Sequence, residues 1–342
     1  MNVSTGLWRA VLVFLLAAGI SSLCIAQTYT VTDLGTLSGG SFSGAKAINA
    51  TGKITGYAYD SNNAISDVFL YSNGAMKDLG TLGGTSGIGN GINASGQVAG
   101  YSTVASGTYH AFLSSGAQLI DIGDLGGGSA VAYAINDAGQ VVGSAVTPNA
   151  ANHPFLYSNG QMTDLGTLGS PDGVDWWNSA QGVNKFGVVV GTSYDAHGNF
   201  FGFMWKNGTM IKMGTLGGPW SQAYAVNNKN QVTGLAYTKN GSGHAYLATN
   251  GVLKDLGTIN GATSTTWGFG INDAGIVVGQ STFQSTYHAF VYSGGVMKDL
   301  NKLIPAGSGW VLLSANGVNN AGQIVGEGFH NGKEHGFLLT PQ

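Results

Sequence analysis

The side chains best suited to acid–base or metal chemistry are seven histidines and sixteen acids, and most of them recur at a regular interval. His110, His153, His244, His288 and His335 each stand two residues before a recurring aromatic. A histidine cluster binds metal when the chain gathers its members. Even spacing disperses them instead, so these five are expected to brace a loop. Asp33, Asp78, Asp121, Asp164, Asp255 and Asp299 also share one position. Each carboxylate there is expected to accept backbone N–H bonds in the adjoining turn. Asp137 and Asp273 belong to tight Asn-Asp turns. Eight acids lie outside the pattern: Asp60, Asp67, Asp124, Asp172, Asp175, Asp195, Glu327 and Glu334. Glycoside hydrolysis needs two carboxylates about 5–10 Å apart. Asp172, Asp175, Asp195 and Glu327, with the off-repeat, loop-borne His197 and His330, are therefore the candidates for a carbohydrate-active hydrolase or lyase. No P-loop or dinucleotide fingerprint is present, and the Asn-Asp-x-Gly turns lack the alternating acids of an EF-hand. No cofactor, no metal and no catalytic constellation is read from the sequence.

The elements that position these residues are repeats. Asp-Leu-Gly-Thr-Leu occurs at Asp33–Leu37, Asp78–Leu82 and Asp164–Leu168, with degenerate copies from Asp121, Lys212, Asp255 and Asp299. Successive copies lie 45, 43, 43, 48, 43 and 44 residues apart. The pattern Ile/Val-Asn-x-x-Gly/Asn-x-x-x-Gly follows each copy, on Asn49, Asn93, Asn136, Asn184, Asn227, Asn272 and Asn319. The recurring aromatics are Phe69, Phe112, Phe155, Phe203, Tyr246, Phe290 and Phe337. Three marks in one order, seven times, define a repeat protein. In the third unit strands are expected over Val131–Asn136, Gln140–Ala145, Pro154–Ser158 and Met162–Leu165. The turn at Asn136–Gly139 and the Asn159-Gly160 hairpin join them, with a longer loop at Val146–Asn152. Four strands in about 44 residues is the pattern of a propeller blade. The expected fold is all-β, a seven-bladed β-propeller with four-stranded blades.

The residues four and two before each repeat Asn are all Gly or Ala: Ala45/Ala47, Gly89/Gly91, Ala132/Ala134, Ala180/Gly182, Ala223/Ala225, Gly268/Gly270 and Ala315/Gly317. Period two puts both on one strand face, where blades crowd toward the axis. The Ile or Val before each Asn is expected to pack on the other neighbour. Between the small residues stand Lys46, Asn90, Tyr133, Gln181, Tyr224, Phe269 and Asn316, which either coat a channel mouth or pack between blades. Thr28–Leu34 reads as a fourth strand and His335–Thr340 as a third. The N-terminal strand is therefore expected to complete the last blade and close the ring.

The tripeptides His110-Ala111-Phe112 and His288-Ala289-Phe290, with the Asn/Gly turns and Asp-Leu-Gly-Thr-Leu, resemble the HAF-repeat family of extracellular repeats. The resemblance covers Tyr29 to Leu339 and implies a secreted bacterial protein; it brings no catalytic residues with it. Asp67-Val68-Phe69, Phe201-Gly202-Phe203 and Lys212-Met213-Gly214 depart from the pattern.

Arg9 followed by the apolar run Ala10–Ile20 fits a secretory signal peptide and is too short to span a bilayer. Residues 1–26 are expected to be cleaved after Ala26, leaving 27–342 as one propeller outside the cytoplasm, extracellular or periplasmic. A lipoprotein signal at Cys24 has Leu23 where a small residue is wanted. Cys24 is the sole cysteine, so cleavage leaves no thiol for catalysis or metal binding. A net charge of −3 without a basic patch argues against nucleic acid. A monomer with no membrane span is expected.

The tryptophans point to a ligand face. Trp177 and Trp220 stand seven residues before their repeat Asn, and Trp176, Trp267 and Trp310 fall in the same blade-to-blade connection. That connection shares a face with the long second-to-third-strand loops, while the tight turns lie opposite. The expected ligand-binding residues are Trp176, Trp177, Trp220, Trp267, Trp310, Tyr133, Tyr224 and Phe269, serving a non-catalytic module that recognises a glycan or an extracellular protein. The alternatives are the enzyme above, with its site in the axial funnel, and a structural surface or matrix protein whose rings plug gaps between blades.

Overall fold

The computed structural model describes residues 28–342 apart from 38, 63, 171–176 and 262. The expected signal peptide, Trp176, Asp172 and Asp175 lie outside the described residues. The chain is β-strand throughout, with one short 3-10 turn at Leu300–Lys302 among the described residues.

After β1 (Tyr29–Asp33), the strands come in fours. The first unit is β2 (Ser43–Ile48), β3 (Ile54–Tyr59), β4 (Ser66–Ser72) and β5 (Ala75–Gly80). The second is β6 (Gly83–Ile92), β7 (Val98–Val104), β8 (Tyr109–Ser115) and β9 (Gln118–Asp121). The third is β10 (Ala130–Ile135), β11 (Val141–Val146), β12 (Asn152–Ser158) and β13 (Gln161–Asp164). The fourth is β14 (Ser179–Val183), β15 (Val189–Tyr194), β16 (Phe200–Lys206) and β17 (Thr209–Lys212). The fifth is β18 (Gly217–Val226), β19 (Val232–Thr238), β20 (Gly243–Thr249) and β21 (Val252–Asp255). The sixth is β22 (Thr266–Ile271), β23 (Val277–Phe283), β24 (Thr286–Ser293) and β25 (Val296–Asp299). The last unit has β26 (Trp310–Val318), β27 (Ile324–His330) and β28 (Lys333–Pro341). Each four form an antiparallel meander, and the first two sheets touch through a single parallel bridge, Ser66 to Ser86. β1 pairs antiparallel with β28, Tyr29 opposite Pro341 and Asp33 opposite Phe337.

The inner strands depart from strict alternation. In every unit the register slips between the two small residues, as at Ala45/Ala47, Gly89/Gly91 and Gly268/Gly270. The residue between them is unpaired, a β-bulge. The bulge corrects the expectation that both small residues share a face. A Cβ on Gly89 would lie 2.2 Å from Thr55 Oγ1 in the preceding unit, whereas one on Gly91 would lie 3.0 Å from Ile135 N in the following unit. Small side chains are required on both sides because both neighbouring sheets press on this strand.

The bulge also explains the glycine seven residues after each repeat Asn. It lifts an inner-strand carbonyl over the second strand, so that a Cβ on Gly56, Gly143 or Gly279 would stand 1.8–2.0 Å from Gly44 O, Val131 O or Trp267 O. The repeat aromatics lie against these glycines and are fully buried, each contributing roughly 2–3 kcal/mol of apolar burial. The core divides into clusters that each join one unit to the next. The cluster of Val325, Leu34, Ala45 and Phe69 joins the last unit to the first.

The repeat Asn side chains form a belt. Oδ1 of Asn227 accepts the N–H groups of Lys229 and Gln231, which holds the turn, while Nδ2 donates to Asn272 O in the next unit at 3.0 Å. The same outward bond runs from Asn49 to Asn93 O, Asn136 to Asn184 O, Asn184 to Asn227 O, Asn272 to Asn319 O and Asn319 to Asn49 O. These amides are buried, so each bond replaces water that cannot enter.

The histidine braces take a definite form. Nδ1 of His110, His153, His244, His288 and His335 meets the carboxylate of Asp121, Asp164, Asp255, Asp299 and Asp33, at 2.6–3.0 Å. The same carboxylates accept a backbone N–H two residues on, such as Gly123 and Gly166. Two units lack a histidine. In the first, Asp67 takes its place beside Asp78; in the fourth, Lys212 replaces the acid and its ammonium lies 3.4 Å over the Phe201 ring.

Candidate functional site

The aromatic groove is built where the fourth and fifth units meet. β18 starts with Gly217-Gly218-Pro219-Trp220. Gly218 runs so close to β19 that a Cβ would fall 2.6 Å from Tyr237 C. This approach lays the Trp220 indole over Tyr237, ring centres 3.9 Å apart. The Asp195–Asn199 turn supplies the opposite wall. Asp195 Oδ1 accepts the N–H of His197 and Asn199, and Oδ2 accepts Lys212 Nζ at 2.8 Å. The Lys212 ammonium first, then the two N–H donors, hold the carboxyl down at about 2 against the opposing effect of its burial. The turn presents Phe200, which meets Trp220 at 6.2 Å, Trp177 at 6.4 Å and Tyr194 at 4.9 Å.

These rings enclose a groove of about 610 Å³, lined also by Gln222, Tyr224 and Trp267. Trp177 is 62% exposed at its rim. A second hollow of about 250 Å³ shares Trp177, Phe200 and Gln222 with it. Its wall includes Asn178, which is buried. Asn178 Oδ1 accepts Tyr194 N–H at 2.9 Å, but Nδ2 has no partner. An unpaired buried donor costs about 1–3 kcal/mol.

Of the residues expected to bind ligand, Trp177, Trp220, Trp267 and Tyr224 gather at this groove. Trp310 departs from the expectation. It is buried in the core, with its ring stacked on His330 at 4.7 Å and 2° and edge-on to Phe337. Tyr133 and Phe269, with Tyr224, belong to a central cavity of about 280 Å³. All seven bulge residues line it, because the bulge frees them from pairing. Some also bridge units: Asn90 Nδ2 donates to Ala132 O and Asn316 Nδ2 to Ala45 O. Sequence reading missed Tyr194, Phe200, Tyr237 and Asn178; Asn178 adjoins Trp177, and the other three stand at the second-to-third-strand loops β15–β16 and β19–β20, which share the face of the tryptophan connections.

Among the described residues, the proposed acids Asp195 and Glu327 each have other partners. Asp195 is committed to its turn. His330 ends β27 rather than lying in a loop, and its Nδ1 meets Asp33 at 2.8 Å. Glu327 pairs at 3.1 Å with Lys46, which lines the central cavity, and accepts Tyr57 OH at 3.5 Å. Burial first, then the Glu327 charge, raises the neighbouring Glu334 carboxyl above the ordinary range.

The chain matches no family model and no curated protein. Its fold is similar to that of the β-propeller domain of the Trilobed protease from Pyrococcus furiosus, with a TM-score of 0.58 at 10% identity over 89% of this chain and 95% of that one. It is also similar to TolB from Acinetobacter baumannii, TM-score 0.52, 12% identity, 72% of this chain and 63% of that one. A third is YCF48 bound to D1 peptide, TM-score 0.51, 9% identity, 91% and 94%. The class is thereby defined: an all-β protein with a β-propeller fold. At such identities the likeness extends to the fold alone.

Proposed function

We propose that the protein is a secreted recognition module that binds a glycan in the aromatic groove. The observation that carries this reading is the wall of Trp177, Phe200, Trp220 and Tyr237 beside the unpaired Asn178 donor. Aromatic faces suit the apolar faces of sugar rings. On this reading residues 1–26 direct export, and the chain is an HAF-repeat protein with seven blades in a closed ring. Support for the ring comes from the β1–β28 pairing, the Asn319-to-Asn49 bond and the core cluster joining last unit to first. The eight-stranded sheet is then two blades touching at one bridge.

A glycan array and a hydrolysis screen on the purified protein test this, repeated with Trp177→Ala and Trp220→Ala. The expected result is binding without turnover, weakened about 10- to 100-fold by Trp220→Ala. Glycan binding that both substitutions leave unchanged refutes the groove. Binding of a peptide instead would assign the groove to a protein partner, as YCF48 was solved with D1 peptide. A second reading, a carbohydrate-active enzyme, is favoured by the Glu327–Glu334 pair near Lys46 and Tyr57. It predicts turnover that Glu327→Gln abolishes.

A further inference from the structure

Asp33, His330 and His335 form the one cluster of three metal-ligating side chains among the described residues. Four other units need only one histidine to brace their aspartate. At the seam between the chain ends the brace, His335, is already present, with Nδ1 at 2.9 Å from Asp33 Oδ2. His330 brings a second Nδ1 to the same oxygen at 2.8 Å. It is surplus to the brace, and it is held in place from two sides. Trp310 lies flat against its ring, and the Asn331 amide meets its Nε2 at 3.1 Å.

We propose that Asp33, His330 and His335 bind a zinc-type divalent transition metal, which clasps β1 onto β27 and β28. Two imidazoles and one carboxylate are the donor set such a cation prefers. The three ligand atoms lie within 4.8 Å of one another. Tetrahedral zinc, with bonds of ~2.0–2.1 Å, separates its ligands by ~3.3 Å. The 2.8 and 2.9 Å contacts to Asp33 therefore need to open by only a few tenths of an ångström. Asp33 Oδ1 keeps its bond from Gly35 N–H at 2.8 Å, which fixes the carboxylate while Oδ2 faces the metal. The cation takes the place of the Nδ1 protons, and each imidazole carries its proton on Nε2 instead. The Asn331 amide, turned over, accepts that Nε2–H from His330, the outer contact that orients a metal-bound imidazole. The three side chains are only partly buried, at 16–29% exposure, so the fourth position stays open to water.

The ligands are 297 and 302 residues apart in sequence. Binding to the folded chain alone therefore stabilises the junction of the two ends. The test is titration of tag-free, chelator-treated protein with ZnCl2 by calorimetry and thermal denaturation, for wild type, His330→Gln and His153→Gln. One zinc per chain is expected, with the melting temperature raised by roughly 5 °C at a hundredfold excess over Kd. His330→Gln should abolish both effects and His153→Gln should keep them. No saturable binding by wild type, or equal binding by His330→Gln, overturns the proposal. If His330→Gln does not fold, Co2+ added to wild type decides: tetrahedral absorption bands are expected, and the unchanged spectrum of the aqueous ion overturns it.

Discussion

Replacing Asp67 by histidine should stabilise the protein. Asp67 stands two residues before Phe69, where five other units place the brace histidine. Phe69 pairs with Asp78 as Phe112 pairs with Asp121, so the Asp67–Asp78 juxtaposition copies that of His110 and Asp121 with a like charge in place of a partner. Burial first, then the carboxylates of Asp78 and Asp60, push the Asp67 carboxyl up to about 6. Against an ordinary value of about 3.9 that is some two units, nominally ~3 kcal/mol. The side chain is only partly buried, and screening by water reduces the figure to about 1 kcal/mol. A new charge-assisted His–Asp bond adds about 1 kcal/mol. Asp67→His should therefore raise the melting temperature at pH 7 by about 3 °C. The sign with pH is set by the raised value. Below about pH 4 the carboxyl is protonated in both folded and unfolded chains and nothing is lost. As pH rises through 6 the folded state must hold an unfavourable charge, and stability falls. Asp67→Asn, which removes only the charge, should match wild type at pH 4 and exceed it at pH 7. Circular-dichroism melts of the three proteins at both pH values decide the matter. A like-charge clash at Asp67 is refuted if Asp67→His melts no higher than wild type at pH 7, or if the gain from Asp67→Asn is the same at pH 4.

Asn227→Ala, which leaves Asn272 O and two turn N–H groups without a partner, should cost about 2–4 kcal/mol in urea unfolding. Gly279→Ala would place a methyl 1.8 Å from Trp267 O and should cost about 3 kcal/mol or more, measured the same way. Lys212→Met should lower the melting temperature at pH 7. Because Lys212 holds the Asp195 carboxyl at about 2, the difference from wild type should shrink between pH 4 and pH 2, as that carboxylate protonates. Deleting Gln27–Leu37 removes β1 and should lower the melting temperature further than trimming the Ser61–Ala64 loop; equal melting temperatures would count against a closed ring.

Much of the architecture was legible because repetition turns weak local signals into strong ones. One Asn-Gly turn predicts little, but seven copies of the Asn, Gly and aromatic marks define a four-stranded unit, and in the third unit the expected strands match β10 to β13 to within two residues. The pairing of β1 with β28 also followed from register, since Thr28–Leu34 reads as a fourth strand and His335–Thr340 as a third. The bulge between Ala45 and Ala47 was not legible. Alternation assumes uniform pairing, and the slip arises only when neighbouring sheets press on the inner strand from both sides. That slip decides which residues line the central cavity. The fate of each tryptophan was likewise tertiary. Trp220 and Trp310 occupy the same connection in sequence, yet Trp220 meets Tyr237 and Phe200 at an open groove while Trp310 is sealed between His330 and Phe337. The repeating residues, and hence the sheets, can be read along the chain because the strands and turns of each meander are neighbours in sequence. The convergence of His330, surplus to the repeat, with His335 on Asp33 was not legible, because it depends on β27 extending to His330 and on Trp310 packing flat against its ring.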